Sequence, residues 1–425
     1  MRNRVVITGL GVVAPNGVSV TEFTENIKNG VSGIAHFPEL EALNFSCQIG
    51  GRPIISEEKK RDYFTALQLR NFNSSGIMYG VIAGMDAIRD AKINVDGEDP
   101  NWDLGIIFGT GSSGVDKFRE AIYKLDEGKV RRLGSTVVVQ TMMSGVTAYL
   151  TGMTGAANVV TTNSSACATG TEAIIMAYER IANGKAKQIL CGSTNDYGPY
   201  IWGGFDALKV MAYKYNDNPT EASRPMSETA NGLVPGAGAG AFILESLESA
   251  KTRGAKIYAE VLGGAVNSGG QRGEGSMTAP NSVAVQRCIK GAMTDAEVSG
   301  ADIDYINGHL TATIKDSTEI KNWCTALERS GNDFPYINSL KSMVGHCLAA
   351  SGSIECVATI LQMHHGFVFP SINCEDLHPE IVALIGSDKV PQKKIDTPIN
   401  IAAKASFGFG DVNACVIFGK YTSKK

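Results

Sequence analysis

Apolar residues in this chain fall into short unbroken runs separated by longer amphipathic stretches. The runs at residues 4–13, 104–108, 187–191 and 257–264 are rich in β-branched residues and poor in charge. Strands covered on both faces read this way. Residues 20–30, 64–93, 115–127 and 141–153 carry the helical period instead, and 33–60 reads as loop and short strand. Residues 192–216, rich in glycine and aromatics, read as a surface excursion. A glycine turn then feeds a buried strand across 231–245, and 247–253 is a short helix. In the second half, helices are predicted over 283–298, 316–329 and 347–364. Strands are predicted over 304–307, 336–341, 399–403 and 412–418. Alternating strands and helices of this kind give an α/β fold with helix-covered sheets. The strand-turn-helix at 336–364 echoes the one at 157–182, which points to internal duplication on a weak sequence repeat.

At 425 residues the chain is too long for one simple core, so two domains or one duplicated domain are expected. The net charge of −4 and the lack of a basic arm argue against bulk attraction to nucleic acid or anionic membrane. No apolar run is long enough to span a bilayer, and Met1 to Ile7 runs straight into a strand rather than reading as a signal peptide. The nine cysteines stand singly without a CxxC pair, which favours a reducing cytoplasm over a zinc site or disulfide framework. Gly9 and Gly11 lack the third glycine of a dinucleotide fingerprint, and the 109–114 glycine loop lacks a following Gly-Lys-Ser/Thr.

Cys167 organises the candidate chemistry. It falls between a predicted buried strand ending near Thr162 and a helix that begins at Ala168. A thiol at a helix N-terminus ionises more easily than a free one, and the same free N–H groups can hold an oxyanion. The competing reading is a small core hydrophobe. Of six histidines, His309 and His346 each stand just beyond a predicted strand, and Lys341 ends one. The loop Ser406-Phe407-Gly408-Phe409-Gly410 does the same. Strand ends converge on sites in α/β folds. His364 and His365 end a helix before Gly366, and His36 and His378 lie in loops.

Together these segments resemble an elongating β-ketoacyl-acyl carrier protein synthase, a condensing enzyme of the thiolase superfamily. The likeness rests on Ala166-Cys167-Ala168-Thr169-Gly170, on Asn216-Asp217-Asn218-Pro219 with Ala222-Ser223-Arg224-Pro225, on Lys341-Ser342-Met343-Val344-Gly345-His346, and on Phe407-Gly408-Phe409-Gly410. It spans nearly the whole chain. It implies a thiolase-like α/β fold in which two duplicated halves form a layered αβαβα sandwich. Residues 1–255 would carry the nucleophile, and 256–425 the two histidines and the lysine.

The resemblance also implies the chemistry, a decarboxylative Claisen condensation. Cys167 would take an acyl group as a thioester and condense it with malonyl-acyl carrier protein. His309 and His346 would stabilise the enolate, and the N–H groups of Cys167 and Phe407 the tetrahedral oxyanion. Lys341 would pair with Glu355 and Glu319, or be a purely structural ion pair. Thr311 and Thr313 would hold the pantetheine arm. Phe407, Gly408, Phe409, Gly410 and Asp411 would form the gate. Lys129, Arg131, Arg132 and Lys209 would dock the acidic carrier protein. No metal or separate cofactor is implied, because phosphopantetheine arrives on the carrier protein.

Several positions depart from the family pattern: Asp411-Val412 for Gly-Thr, Leu310 for Gly, Ala237 for an acidic residue, and Ser112 or Ser113 for a branched one. They surround the acyl pocket and its gate, so they favour a type II polyketide or polyene pathway over housekeeping fatty acid elongation. The expected assembly is a homodimer, or a heterodimer with a chain-length-factor-like subunit. A catalytically dead chain-length factor would lack the cysteine. A thiolase would need a second reactive cysteine, for which Cys415 is the candidate, though it sits inside an apolar run.

Overall fold

The computed structural model describes residues 2–422. Its main sheet comprises β1 (Val5–Val13), β2 (Leu104–Thr110), β3 (Val160–Thr161), β4 (Gln188–Asn195) and β5 (Gly238–Ser246), then β6 (Ala259–Ser268), β7 (Tyr305–Asn307), β8 (Tyr336–Asn338), β9 (Ile401–Gly408) and β10 (Val412–Gly419). Their order across the sheet is β8-β7-β9-β10-β6-β1-β5-β4-β2-β3. Outward from the middle, one half runs β1, β5, β4, β2, β3 and the other β6, β10, β9, β7, β8. Pairing directions repeat as well: antiparallel, antiparallel, parallel, parallel on each side. The halves join where β1 meets β6, through Val5↔Val261, Val6↔Glu260 and Ile7↔Ala259. The weak sequence echo therefore reflects a duplication of topology.

Five helices set the layers: α1 (Ser75–Asp90), α2 (Thr169–Ala182), α3 (Ser282–Asp295), α4 (Asp316–Leu327) and α5 (Ser351–His365). α1 covers the outer face of β1, β5 and β4, while α3 covers β6 and β10 and packs on α4. α2 and α5 lie between the halves and touch strands of both, which completes an αβαβα sandwich. Every residue of α5 from Ser351 to Met363 is buried. A helix covered all round belongs in such a middle layer. Every residue of β1 is buried too, as its unbroken apolar run requires. Gly9 and Gly11 are packing residues: a Cβ there would lie 2.2 Å from the Ala87 carbonyl oxygen and 1.9 Å from that of Ala83, both on α1.

α2 and α5 cross at two glycines related by the duplication. A Cβ on Gly170 would lie 2.3 Å from the Ser353 nitrogen, and one on Gly352 would lie 2.6 Å from the Thr171 nitrogen. Hydroxyl pairs repeat the relation, with Thr171 to Ser406 at 2.9 Å and Ser193 to Ser353 at 2.7 Å.

The structure corrects several sequence expectations. The strand before Cys167 is only Val160–Thr161, and it is partly exposed at the sheet edge. Residues 192–195 finish β4, and the helix Pro199–Ala207 buries Trp202 edge-on against Phe37, so 192–216 is no mere surface excursion. The helix predicted over 64–93 is broken into Ala66–Leu69 and α1. Lys341 lies in a helical turn, Lys341–Val344, rather than on the strand before it.

Candidate active site

Cys167 stands in a tight 3₁₀ turn, Ala166–Ala168, that leads into α2. Ala166 has φ +47°, a left-handed conformation that L residues enter at a cost. Leu348, at φ +52°, opens the matching turn Leu348–Ala350 before α5. Hydrogen bonds over-determine the Cys167 turn. The Ser165 N–H donates to Thr169 Oγ1 at 2.9 Å, and Glu172 accepts from Asn163 Nδ2 at 2.8 Å and Ser165 Oγ at 2.5 Å. The thiol is buried, and burial pushes its pKa up to about 11, against the pull of the Lys341 charge. This reverses the expectation of easy ionisation, because desolvation outweighs the stabilisation at the helix start.

Phe407, expected to supply the second oxyanion donor, is not the residue whose backbone N–H reaches the Cys167 sulfur. Phe407 lies within β9 opposite Asn413, and β9 pairing with β10 ends at Gly408. The backbone N–H that reaches the Cys167 sulfur is that of Phe409, beyond the end of the ladder. The Phe407 ring packs edge-on against His309 at 5.6 Å. Gly408 approaches so closely that a Cβ there would lie 3.1 Å from the Cys167 nitrogen.

His309 and His346 face one another with ring centroids 5.6 Å apart. Burial, reinforced by the Lys341 charge, holds both imidazoles well below the ordinary histidine pKa, so both are neutral at pH 7. The Leu348 N–H donates to His346 Nδ1 at 3.1 Å, and Ser351 Oγ lies 2.9 Å from the same atom. Nδ1 is therefore an acceptor, the ring proton sits on Nε2, and His346 is a hydrogen-bond donor at that atom.

Lys341, 1% exposed, donates to the His309 carbonyl at 2.6 Å and to Glu355 Oε1 at 2.5 Å. Glu319 does not pair with it, contrary to expectation. Its carboxylate accepts the N–H groups of His309 and Leu310, each at 2.7 Å, and burial pushes its pKa up to about 7. Glu355 has a different second partner: Lys404 Nζ lies 2.8 Å from Oε2. Lys404 was missed at the sequence level, although a lysine inside the apolar run of β9 is a visible anomaly.

A cavity of about 360 Å³ is lined by Cys167, His309, His346, Thr311, Thr313 and Phe409. The two threonine hydroxyls are 3.2 Å apart. Asp316 fixes their turn by accepting the N–H groups of Thr311 at 3.0 Å and Ala312 at 3.2 Å. Just beyond Gly410, Asp411 is buried at φ +62° and its carboxylate accepts from the Gln271 N–H at 3.0 Å and the Asn281 N–H at 2.8 Å. Lys129, Arg131, Arg132 and Lys209 are all exposed, and Lys129 pairs with Glu127 at 2.5 Å. Cys415 lies inside β10, fully buried, with its thiol pushed well above the usual value by burial, and it does not line this cavity.

Known proteins resemble this chain in sequence and in fold. The beta-ketoacyl synthase N-terminal domain family matches residues 2–250, and the C-terminal domain family matches residues 258–375. The chain is 34% identical to the chloroplastic 3-oxoacyl-[acyl-carrier-protein] synthase I of Arabidopsis thaliana, over 99% of this chain and 87% of that one. A solved structure titled the ishigamide ketosynthase/chain length factor superposes with a TM-score of 0.88 at 26% identity, covering 99% of this chain and 100% of that one. A type II polyketide acyl-carrier protein in complex with its ketosynthase bound to the hexaketide gives a TM-score of 0.86 at 30% identity, with the same coverage. On both domain matches and full-length likeness, the chain belongs to the beta-ketoacyl synthase family of condensing enzymes.

Proposed function

We propose that this ketosynthase condenses a Cys167-bound acyl group with malonyl-acyl carrier protein in a type II polyketide or polyene pathway. Condensing activity follows from the family. The residue roles rest on one observation above all: a thiol and two neutral imidazoles share one cavity. In the first step the Cys167 sulfur attacks the acyl thioester carbonyl, and the thiol proton leaves with the pantetheine thiol. The cysteine starts protonated, so this proton moves during the attack. The oxyanion rests on the N–H groups of Cys167 and Phe409.

In the second step the malonyl thioester oxygen sits between His309 and His346. The C–C bond to the carboxylate breaks, carbon dioxide leaves, and its electron pair becomes an enolate. Neutral imidazoles stabilise that charge by hydrogen bonding without quenching the carbanion with a proton. The enolate carbon attacks the acyl-Cys carbonyl. The C–S bond then breaks, giving β-ketoacyl-carrier protein and a Cys167 thiolate, which takes up a proton from water to return the thiol. Thr311 and Thr313 receive the pantetheine arm, and Phe409 with Asp411 gates the acyl side.

The remaining assignments belong to the same reading. The functional division is set at 255/256, in line with family matches that end at 250 and restart at 258. An acyl carrier protein docks at Lys129, Arg131, Arg132 and Lys209, and the chain pairs with itself or with a chain-length-factor-like subunit. Likeness to structures that carry such partners supports this. The scattered cysteines favour the cytoplasm. Among the described residues no helix is long and apolar enough to cross a membrane.

The test is intact-protein mass spectrometry with a panel of acyl-carrier proteins followed by malonyl-carrier protein. Wild type gains an acyl adduct that is lost as β-ketoacyl product forms, and Cys167→Ala gains none. An adduct on Cys167→Ala, or a wild-type adduct that malonyl-carrier protein never discharges, overturns the assignment.

A further inference from the structure

Two ladders stop at the same place. The pairing of β9 with β10 ends at Gly408↔Val412, and that of β10 with β6 ends at Val412↔Ser268. Phe409, Gly410 and Asp411 form the turn beyond both. That turn stands against the reactive cysteine. A Cβ on Gly408 would lie 2.9 Å from the Ser165 carbonyl oxygen and 3.1 Å from the Cys167 nitrogen, and Phe409 lines the cavity beside the thiol.

The turn is held by residues 269–281, the segment between β6 and α3. The Gly410 N–H donates to the Met277 carbonyl at 2.8 Å, and the Gly269 N–H donates to the Asp411 carbonyl at 3.0 Å. The Asp411 side chain grips both ends of the segment, taking the Gln271 N–H on Oδ2 and the Asn281 N–H on Oδ1. Asn281 closes the segment on itself by donating from Nδ2 to the Arg272 carbonyl at 2.7 Å. The room for the carboxylate is fitted. A Cβ on Gly269 would lie 2.1 Å from Asp411 Oδ2, and one on Gly275 would lie 2.3 Å from it. Residues 271–274 and 276–278 are exposed, so polar bonds rather than apolar burial anchor them. Thr278, Ala279 and Pro280 from this segment line the same cavity as Cys167. Glycine would adopt φ +62° freely at position 411, whereas aspartate enters that region at a cost. The hydrogen bonds to 269–281 are what the side chain returns for it.

We propose that Asp411 is a positioning residue for acyl transfer: its carboxylate ties the turn carrying Phe409 to the cavity wall 269–281, and so holds that turn against Cys167 when the thioester arrives. The proposal deepens the condensing reading given above and rests on it. An oxyanion donor acts only from a fixed place. Displacement of a positioned group by about 1 Å costs roughly 10²-fold in rate.

The experiment times the loading of Cys167 from the acyl-carrier protein panel by intact-protein mass spectrometry, beside amide hydrogen exchange in residues 269–281 and 407–412. Asp411→Gly keeps the backbone free of strain. It loads roughly 10²-fold more slowly and exchanges faster in both segments. Asp411→Asn keeps one accepting oxygen and loads at a rate between the two. Gly275→Ala breaks the tie from the other side, because its methyl displaces the carboxylate, and it also slows loading. In the Asp411→Gly background that methyl meets only the Arg272 oxygen and the Asn281 Cβ, each at 3.1 Å, and adds no comparable loss. A tie that served the fold alone would loosen the segments and leave loading untouched. That result, or a Gly275→Ala loss equal in both backgrounds, overturns the proposal. Wild type that gains no adduct from any donor defeats the condensing reading instead.

Discussion

His309 and His346 are held in opposite ways. His346 is fixed through its ring, by the Leu348 N–H and Ser351 on Nδ1, while His309 is fixed through its backbone, between Glu319 and Lys341. Both present neutral imidazole to one cavity. His346→Ala should therefore keep acyl transfer to Cys167 and lose roughly 10²–10³-fold in condensation, the usual effect of deleting one oxyanion donor. Acyl-enzyme that persists in the mass spectrum after malonyl-carrier protein is added would show it, and equal loss of both steps would refute it. Cys167, His309, His346 and Lys341 were legible in the sequence because each follows a short apolar run, and strand ends gather in such folds. The contact of the Phe409 N–H with the Cys167 sulfur was not, because it depends on where the β9 ladder stops. Nor were the partners of Glu319 and Glu355, which are chosen by tertiary packing across residues far apart in sequence.

At the scale of elements, the long buried strands and amphipathic helices could be read from periodicity, whereas β3 and the short turns around Cys167 and Lys341 could not. Two residues of edge strand carry no period, and a 3₁₀ turn opened by a strained alanine has no compositional mark. The crossing of α2 and α5 is likewise invisible in sequence, yet it sets the site, since both helices begin there. It makes a contrast between two helical glycines testable. Gly170→Ala puts a Cβ 2.3 Å from the Ser353 nitrogen and 2.5 Å from Ser193 Oγ, so the helices must part. Overpacking of this kind costs about 3 kcal/mol. Gly152 lies exposed in the helix Gly145–Thr154, with nothing within 4 Å of an added Cβ. Gly152→Ala should stabilise by about 0.5–1 kcal/mol through helix propensity. Denaturant midpoints that move together, or in the reverse order, would contradict this account of the crossing.

At the scale of the molecule, the duplication has produced two halves that need each other. Cys167 comes from the first half, and His309, His346, Lys341 and Lys404 from the second. The dependence extends beyond the site. Ile175 of α2 packs on Gly264 of β6, Tyr178 donates to the Leu262 carbonyl at 3.1 Å, and β1 completes its pairing on β6. A chain ending at residue 255 would expose that apolar face of α2 and leave β1 as an open sheet edge. Such edges and patches aggregate. Yet the connection itself is slight. Gly254, at φ +65° with open space around it, lies in the exposed turn between the helix Leu247–Thr252 and β6. Breaking the chain there removes no packing, only the covalent link. Residues 1–255 made alone should therefore be insoluble or lack a cooperative unfolding transition. Co-expression with 256–425 should return a soluble pair that forms acyl-enzyme and discharges it. Fluorescence-monitored unfolding of the full chain should show one transition. If residues 1–255 alone unfold cooperatively at the full-length midpoint, each half is an autonomous domain, and the shared middle layer contributes only the alignment of Cys167 with the histidines.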